Sequence, residues 1–190
     1  MNEQLKPIFE KIIPAIKAGS IKYWIYGGIA NAAVFGSCYR SNPDVDLFVL
    51  EEDFDKTEEV LVKLCNDNGW KVSKTFLNNR PKIEVLILKN LEKWIERLSV
   101  VPVYLIGNNA ELKFKEGQRR YSGDILQQTE RRLNNFTFYT ISNEFLKKLF
   151  IEYLDSKEKY PPKRIDDARK ILTDEEFKKY FPSENYDQNI

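Results

Sequence analysis

The alternation of apolar and polar positions divides the chain into a strand-rich first part and a helical second part. Apolar residues at helical spacing over 8–16 predict an amphipathic first helix, with Pro14 as a kink or a fresh start. Short β-branched and aromatic runs predict strands, over 21–26, 45–50, 70–76, 82–88, 100–106 and 136–141. The turn between 76 and 82 is typical of a hairpin, and Pro102 favours an edge position for its strand.

Helices are predicted between several of these strands. The Gly27-Gly28 turn leads into a helix of small residues over 29–35. The next helix starts at Asp55, which resembles a capping box with Glu58, and ends near Gly69. Residues 89–98 are also predicted to be helical. The polar segment 108–135 contains a few apolar residues that indicate a helix within it, at Ile125, Leu126 and Leu133.

The second part begins near residue 142. Ser142 or Asn143 caps a strongly amphipathic helix, a second helix follows the Pro161-Pro162 break, and Thr173 with Glu176 forms the capping box of a short third one. The polar tail from 183 is predicted to be frayed. We therefore expect an α/β domain over 1–142 and a helical C-terminal region over 143–190.

Composition narrows the chemistry. The net charge is +1, so no global field indicates nucleic acid or a membrane. The absence of histidine excludes the common zinc sites and the Ser-His and Cys-His nucleophile pairs. Two cysteines are too few for a disulfide framework. No stretch approaches membrane-spanning length and no targeting segment is recognisable, so a cytoplasmic protein is the default expectation.

The glycine pair is a candidate phosphate site. A strand that enters a Gly27-Gly28 turn before a helix exposes backbone N–H groups at the helix N-terminus, where a phosphate can approach closely. A plain turn is the more frequent meaning of such a pattern. Arg40 could bind phosphate through its fork of donors, and Ser37 could hydrogen-bond phosphate, but a surface arginine and a helix cap are the ordinary alternatives.

Three carboxylates form a candidate metal site. Asp44 and Asp46 lie two residues apart at the start of the predicted 45–50 strand, so they point the same way and can share divalent cations. Glu84 is a charge within an apolar strand, which is costly unless it is paired, hydrated or bound to metal. A solvated strand end is the alternative for the aspartates. The metal interpretation requires that the strands bearing Asp46 and Glu84 lie side by side.

These residues resemble the signature of the polymerase-beta-like nucleotidyltransferase superfamily. The similarity rests on the Gly-Gly turn, Arg40, the Asp44-Val-Asp46 strand and a later strand carrying Glu84 in Lys-Ile-Glu-Val. Two branches are similar, the antibiotic nucleotidyltransferases that act on lincosamides and aminoglycosides, and the abortive-infection toxins. The resemblance implies a nucleotidyltransferase-type mixed sheet flanked by helices, with a helical C-terminal part.

The resemblance also implies roles for single residues. Asp44 and Asp46 would hold both metals, Mg²⁺ or Mn²⁺, and Glu84, in place of the more usual aspartate, would serve one metal and act as the base. Gly27, Gly28 and Ser37 would cradle the triphosphate. Positive charge would come from Arg40 and Lys148, the latter in a Phe-Leu-Lys-Lys run similar to the toxin branch. A later run, Lys163-Arg-Ile-Asp-Asp167, is also similar but carries Arg164 where an acidic residue is expected.

The sequence thus predicts a cytoplasmic, metal-dependent nucleotidyltransferase that transfers a nucleoside monophosphate from a nucleoside triphosphate to a hydroxyl acceptor and releases pyrophosphate. The acceptor stays open between a small molecule, RNA and protein. One alternative is a toxin-type enzyme acting on RNA or protein. Another is a non-catalytic relative that binds a nucleotide or a partner. No membrane partner is expected, and the oligomeric state is undetermined.

Overall fold

The fold is described from a computed structural model, which covers residues 5–77, 80–90, 93–114, 117–157 and 159–182. The predicted frayed tail from 183 lies outside these residues. The chain forms two compact units, with the division between Ser142 and Asn143.

The first unit opens with helices on either side of a short strand. A π-helical turn, Ile8–Ile12, continues into α1, Ile13–Ala18, so Pro14, which has no N–H to donate, lies within one continuous helix just after the π-helical turn. Strand β1 covers Tyr23–Tyr26, and α2, Gly27–Val34, starts at the glycine pair itself. Strand β2, Val45–Leu50, follows, and a short 3₁₀ turn leads into α3, Phe54–Asn68.

The remaining elements of the first unit are strands, apart from a 3₁₀ turn at Gly123–Leu126. They are β3 Lys71–Leu77, β4 Arg80–Asn90, β5 Lys93–Ile106, β6 Asn109–Phe114, β7 Gly117–Ser122, β8 Thr129–Leu133 and β9 Phe136–Thr140. Within the described ranges the nine strands form one mixed sheet in the order β3-β4-β5-β2-β1-β9-β8, with β6 on β5 and β7 on β6. Among these described strands, only the β1–β9 and β2–β5 pairs are parallel.

The two faces of this sheet carry different sets of side chains. On one face, Val45, Leu47 and Val49 of β2 are fully buried, and Phe9 of the first helical segment packs on Phe136 and Phe138 of β9 at 5.4 and 5.1 Å between ring centroids. This face is the hydrophobic core of the unit. The other face carries the alternate residues, including the carboxylate of Asp46, and holds the candidate site.

The predicted helix over 89–98 is wrong. Among the residues described there, β4 extends to Asn90 and β5 begins at Lys93, and Asn90 pairs with Lys93 in an antiparallel hairpin. Pairing with strands distant in sequence outweighs the local helical pattern.

The edge position predicted from Pro102 is also wrong, since β5 lies between β4 and β2. Pro102 is tolerated because the β4 ladder extends only to Val100 and the β6 ladder starts at Tyr104. The side of β5 away from β2 is therefore locally unpaired at the proline.

Two smaller predictions fail for related reasons. The segment 108–135 forms three strands and a 3₁₀ turn in its described residues, rather than an α-helix, because its strands pair with each other and with β5 and β9.

Helix α3 has Asp53 as N-cap, without a side-chain cap. Asp55 and Glu58 instead form ion pairs with Lys74 of β3, at 3.0 and 2.6 Å.

The second unit follows the local pattern closely. Helix α4 covers Asn143–Asp155, α5 covers Pro162–Ile171, and α6 covers Asp174–Tyr180. The predicted capping box of Thr173 and Glu176 is present at the start of α6. One buried cluster joins the three helices, formed by Phe150, Leu154, Ala168, Leu172, Phe177 and Phe181. None of the described helices of either unit is long and apolar enough to cross a bilayer.

Candidate active site

A row of polar residues crosses four strands on the second face of the sheet, the face of Asp46. Tyr26 of β1 lies opposite Asp46 of β2, Asp46 lies opposite Ser99 of β5, and Ser99 lies opposite Glu84 of β4. Directly opposite residues of adjacent strands project to the same face. The register therefore brings Asp46 and Glu84 to one side of the sheet, and Asp44, two residues before Asp46, is exposed at the same strand end.

The metal interpretation required that the strands of Asp46 and Glu84 be adjacent. They are not adjacent. Strand β5 lies between β2 and β4. Because neighbouring strands are about 4.8 Å apart, the Cα atoms of Asp46 and Glu84 are roughly 10 Å apart. The residue between them is Ser99, which is 5% exposed and has one of the smallest side chains. Two longer side chains can lean toward each other above it.

In this structure Glu84 is engaged elsewhere. Lys82 Nζ donates a hydrogen bond to Glu84 Oε1 at 2.7 Å, and both side chains are about a quarter exposed, at 23% and 24%. Consistent with this, no three acidic or thiol side chains of the described residues are gathered closely enough to hold a metal ion. Glu84 can join the aspartates only if its ion pair with Lys82 is exchanged for another partner.

The glycine turn packs directly against Asp46, Arg40 and Asn42. Gly27 has φ +70°, a conformation that glycine adopts readily, and a Cβ atom there would lie 2.8 Å from Asp46 Oδ2. A Cβ atom at Gly28 would overlap Asn42 Oδ1 and lie 2.7 Å from Arg40 Nη2. The glycine turn therefore lies next to both Asp46 and Arg40. The sequence alone did not establish this proximity.

The loop between α2 and β2 is fixed by two residues that the sequence analysis missed. Asn42 is 4% exposed, and its amide nitrogen donates to the carbonyl oxygen of Arg40 at 3.2 Å. Arg97 of β5 is 6% exposed and donates from Nη1 to the carbonyl oxygen of Pro43 at 2.7 Å. The Arg97 bond holds the backbone next to Asp44, and the Asn42 bond holds the loop just before it. A buried arginine within an apolar strand was the available signal for Arg97.

A second missed arginine reaches the site from β4. The guanidinium of Arg80 donates a hydrogen bond to the hydroxyl of Tyr26. Burial, and next the negative charge of Asp46, raise the pKa of Tyr26 far above its usual range. The phenol therefore stays protonated at neutral pH and acts as a hydrogen-bonding group and not as a base. Its ring stacks on Phe48, with 3.8 Å between centroids.

One predicted binding residue, Ser37, is not brought to the turn. Ser37 is exposed and follows the C-terminal end of α2, whereas the glycines are at its start, and eight helical residues span roughly 12 Å. Lys148 lies on α4 of the second unit, and its role stays a prediction. In α5, Arg164 donates to the fully buried Asp167 at 3.0 Å, so this pair has a structural role within the second unit.

The donor set fits a divalent cation in part. Carboxylate oxygens are the ligands that Mg²⁺ and Mn²⁺ prefer, and Asp44 and Asp46 occupy one end of one strand. Glu84 is separated from Asp46 by the intervening strand β5. Glu84 completes the set only after it leaves Lys82.

By sequence, no protein-family model and no curated protein matches the chain. Solved structures do match it. The lincosamide antibiotic adenylyltransferase LnuA, with lincomycin bound, matches with a TM-score of 0.59 and 17% identity over 90% of this chain and 96% of its own. ANT(2″)-Ia, in complex with adenylyl-2″-tobramycin, matches with a TM-score of 0.63 and 18% identity over 95% of each chain.

A third structure extends the same likeness. An antigenic nucleotidyltransferase-like protein from Paracoccidioides brasiliensis has a TM-score of 0.53 and 15% identity, over 90% of this chain and 74% of its own. The first is an adenylyltransferase, the second is in complex with adenylyl-2″-tobramycin, and the third is nucleotidyltransferase-like. The chain therefore has the nucleotidyltransferase fold, a mixed sheet flanked by helices, and the predicted fold class is confirmed.

Proposed function

We propose that the protein is a divalent-metal-dependent nucleotidyltransferase, which transfers a nucleoside monophosphate from a nucleoside triphosphate to a hydroxyl acceptor and releases pyrophosphate. One observation carries the proposal: Asp46 lies against the Gly27 turn and shares a strand-to-strand row with Glu84. A phosphate-binding turn and two carboxylates on one face are what in-line phosphoryl chemistry requires. The cytoplasmic location stays a prediction.

The nucleotide side of the site consists of the glycine turn and Arg40. Backbone N–H groups at the start of α2 and the guanidinium of Arg40 are donors that suit the triphosphate oxygens. Gly28 is needed because any side chain there would displace Arg40 and Asn42. Ser37 and Lys148 belong to this side only by resemblance.

The carboxylates supply the ion sites. Asp44 and Asp46 would hold the metal, with Glu84 as a further ligand and as acceptor of the proton from the attacking hydroxyl. When bound, Mg²⁺ or Mn²⁺ neutralises phosphate charge and lowers the pKa of the attacking hydroxyl. Tyr26, held protonated beside Asp46, and Arg97, which fixes the Pro43 carbonyl, keep the strand end in position.

The proposal is tested by calorimetry of each nucleoside triphosphate with and without MgCl₂. We expect magnesium-dependent binding to the wild type, and a loss of about 100-fold or more in affinity for Asp46→Asn, since a carboxylate ligand is removed. Asp67→Asn, an exposed aspartate on α3, is the matched control and should bind like the wild type. No triphosphate binding by the folded wild type would end the proposal.

A second candidate follows from the ion pair between Lys82 and Glu84. A protein in which Glu84 stays paired would bind the nucleotide without transferring it. Lys82→Met separates the two cases in an assay of pyrophosphate release with a mixed acceptor pool. Turnover by the wild type supports the enzyme, whereas magnesium-dependent binding without turnover in either protein supports the non-catalytic relative.

A further inference from the structure

Two basic side chains share the face of β4 that carries Glu84. Arg80, Lys82 and Glu84 alternate along the strand, so they point to the same side of the sheet. Glu84 lies opposite Ser99, and Ser99 opposite Asp46, which makes this the side of the catalytic carboxylates. The β4 portion of the site thus contains two cations beside one carboxylate.

Arg80 is placed to bind an anion. Its guanidinium reaches from β4 to the hydroxyl of Tyr26, the strand partner of Asp46. Its Nε atom is buried and has no hydrogen-bond partner among the described residues. A buried charged N–H without an acceptor is unfavourable, whereas the oxygen of a bound anion would satisfy it.

The strand that carries Arg80 favours the acceptor over the triphosphate as the source of this anion, although the guanidinium itself extends toward Tyr26. The glycine turn and Arg40 are on the β1–α2 side of Asp46. Arg80 and Lys82 are on the strand of Glu84, which is the proposed acceptor of the hydroxyl proton. The group that approaches Glu84 is therefore the group that meets these two cations.

The ion pair at Glu84 gives the second argument. Lys82 holds Glu84 at 2.7 Å, and Glu84 has to leave this pair to act on the metal or the hydroxyl. An anion on the incoming acceptor would replace Glu84 as the partner of Lys82. Acceptor binding would then release Glu84 for the reaction.

We propose that the hydroxyl acceptor carries a phosphate group, and that Arg80 together with Lys82 binds it; this rests on the proposed nucleotidyltransferase function. Arginine binds phosphate through parallel donors, and a nearby ammonium adds charge. A polycationic acceptor would meet like charge at the same place. The proposed acceptor is therefore negatively charged, whereas an aminoglycoside is positively charged.

The test measures acceptor binding with two phosphate-bearing probes, glycerol 3-phosphate and a hexaribonucleotide with a free 3′-hydroxyl. Both are titrated into the protein with MgCl₂ and a non-hydrolysable triphosphate analogue. We expect at least one probe to bind, and the one that binds distinguishes a small phosphate ester from a nucleic acid. Arg80→Ala should weaken it by about 10-fold to 100-fold, Arg80→Lys by less.

Two controls separate this inference from others. Lys63→Ala removes an exposed cation from α3 and should leave probe binding within about twofold. Lys82→Met is a second, independent variant and should also weaken probe binding. Triphosphate affinity in Arg80→Ala should fall far less than probe affinity, and the remaining triphosphate binding also shows that the variant is folded.

Several results would overturn the inference. One is that the wild type binds triphosphate but neither probe, and another is that probe binding is unchanged in Arg80→Ala and Lys82→Met. A third is that the protein prefers tobramycin over both probes. The last is that Arg80→Ala loses as much triphosphate affinity as Arg40→Ala. Failure of the proposed function itself looks different, because the wild type would then show no magnesium-dependent triphosphate binding.

Discussion

The two units of this chain differ in the sequence distance over which their contacts act. In the first unit, Trp24 Nε1 donates to the carbonyl of Leu126, 102 residues away, and Ile25 pairs with Thr140. In the second unit, the core that joins α4, α5 and α6 is drawn from residues between Phe150 and Phe181. The candidate site lies in the long-range unit, and each of its parts comes from a different segment.

The difference explains where chemistry can be assembled. A sheet places residues distant in the sequence at intervals of about 4.8 Å, so a glycine turn, two aspartates and Glu84 can share one face. The helical unit instead satisfies local rules, with a capping box and apolar residues at helical spacing. Substitutions in the first unit should therefore affect function strongly, and those in the second mainly stability.

A large loss of triphosphate affinity is expected for Gly28→Ala. The new Cβ would displace Asn42 and Arg40 from the turn, and triphosphate affinity should fall by more than about tenfold because charged hydrogen bonds are lost. Calorimetry measures this. Gly19→Ala is the control, since its Cβ would meet only Ile21 Cδ1 and two backbone oxygens at 3.3 Å or more. Equal affinity of Gly28→Ala and wild type would show that the turn does not bind nucleotide.

A smaller effect is expected for Arg97→Met. This change removes the donor to the Pro43 carbonyl at 2.7 Å and should lower the free energy of unfolding by about 1.5–3 kcal/mol, with lower turnover at the adjacent Asp44. Urea unfolding and pyrophosphate release give the two readouts. Arg97→Lys keeps a charge and a donor and should recover part of both. Full activity in Arg97→Met would show that the long-range bond is not needed to position the strand end.

Thr173→Ala tests the local rule in the second unit. Thr173 Oγ1 accepts a hydrogen bond from the backbone N–H of Glu176 at 3.4 Å, and its loss should cost about 1 kcal/mol of stability. Urea unfolding checks this, with Thr173→Ser, which keeps the hydroxyl, expected near wild type. A cost above about 3 kcal/mol would contradict a purely local role.

The smallest effect concerns the pH dependence of Glu176. A hydrogen bond from Lys147 Nζ at 2.8 Å, and next one from the Thr173 backbone, lower the pKa of Glu176. Its stabilisation is therefore present above the unfolded-state pKa and is lost as the pH falls through the lower folded-state pKa. Glu176→Gln should be slightly less stable than wild type at about pH 7 and equal to it at about pH 3. A difference that persists at the lower pH would point to packing instead of charge.

The strands nearest the site were predictable because their apolar runs are bounded by glycine, proline and asparagine. The 45–50 strand and the hairpin around 77–80 have local signals of this kind, and so has the αL residue Gly69 that ends α3. The strands in the 89–98 and 108–135 segments were not predictable from local sequence, since they depend on pairing with β4, β2 and β9. Arg80 appeared to be a turn residue because its partner, Tyr26, is far away in the sequence.

By itself, the sequence determined which residue types were available: a glycine pair, an Asp-x-Asp strand and a lone glutamate in an apolar run, with no histidine to support other chemistry. Only the tertiary structure decided that β5 separates the two carboxylate strands and that Ser99 leaves space between them. The pairing of Glu84 with Lys82, and the reach of Arg80 to Tyr26, were decided there too. The physical reason is that strand order and register are set by the summed burial of whole faces, which no local pattern contains.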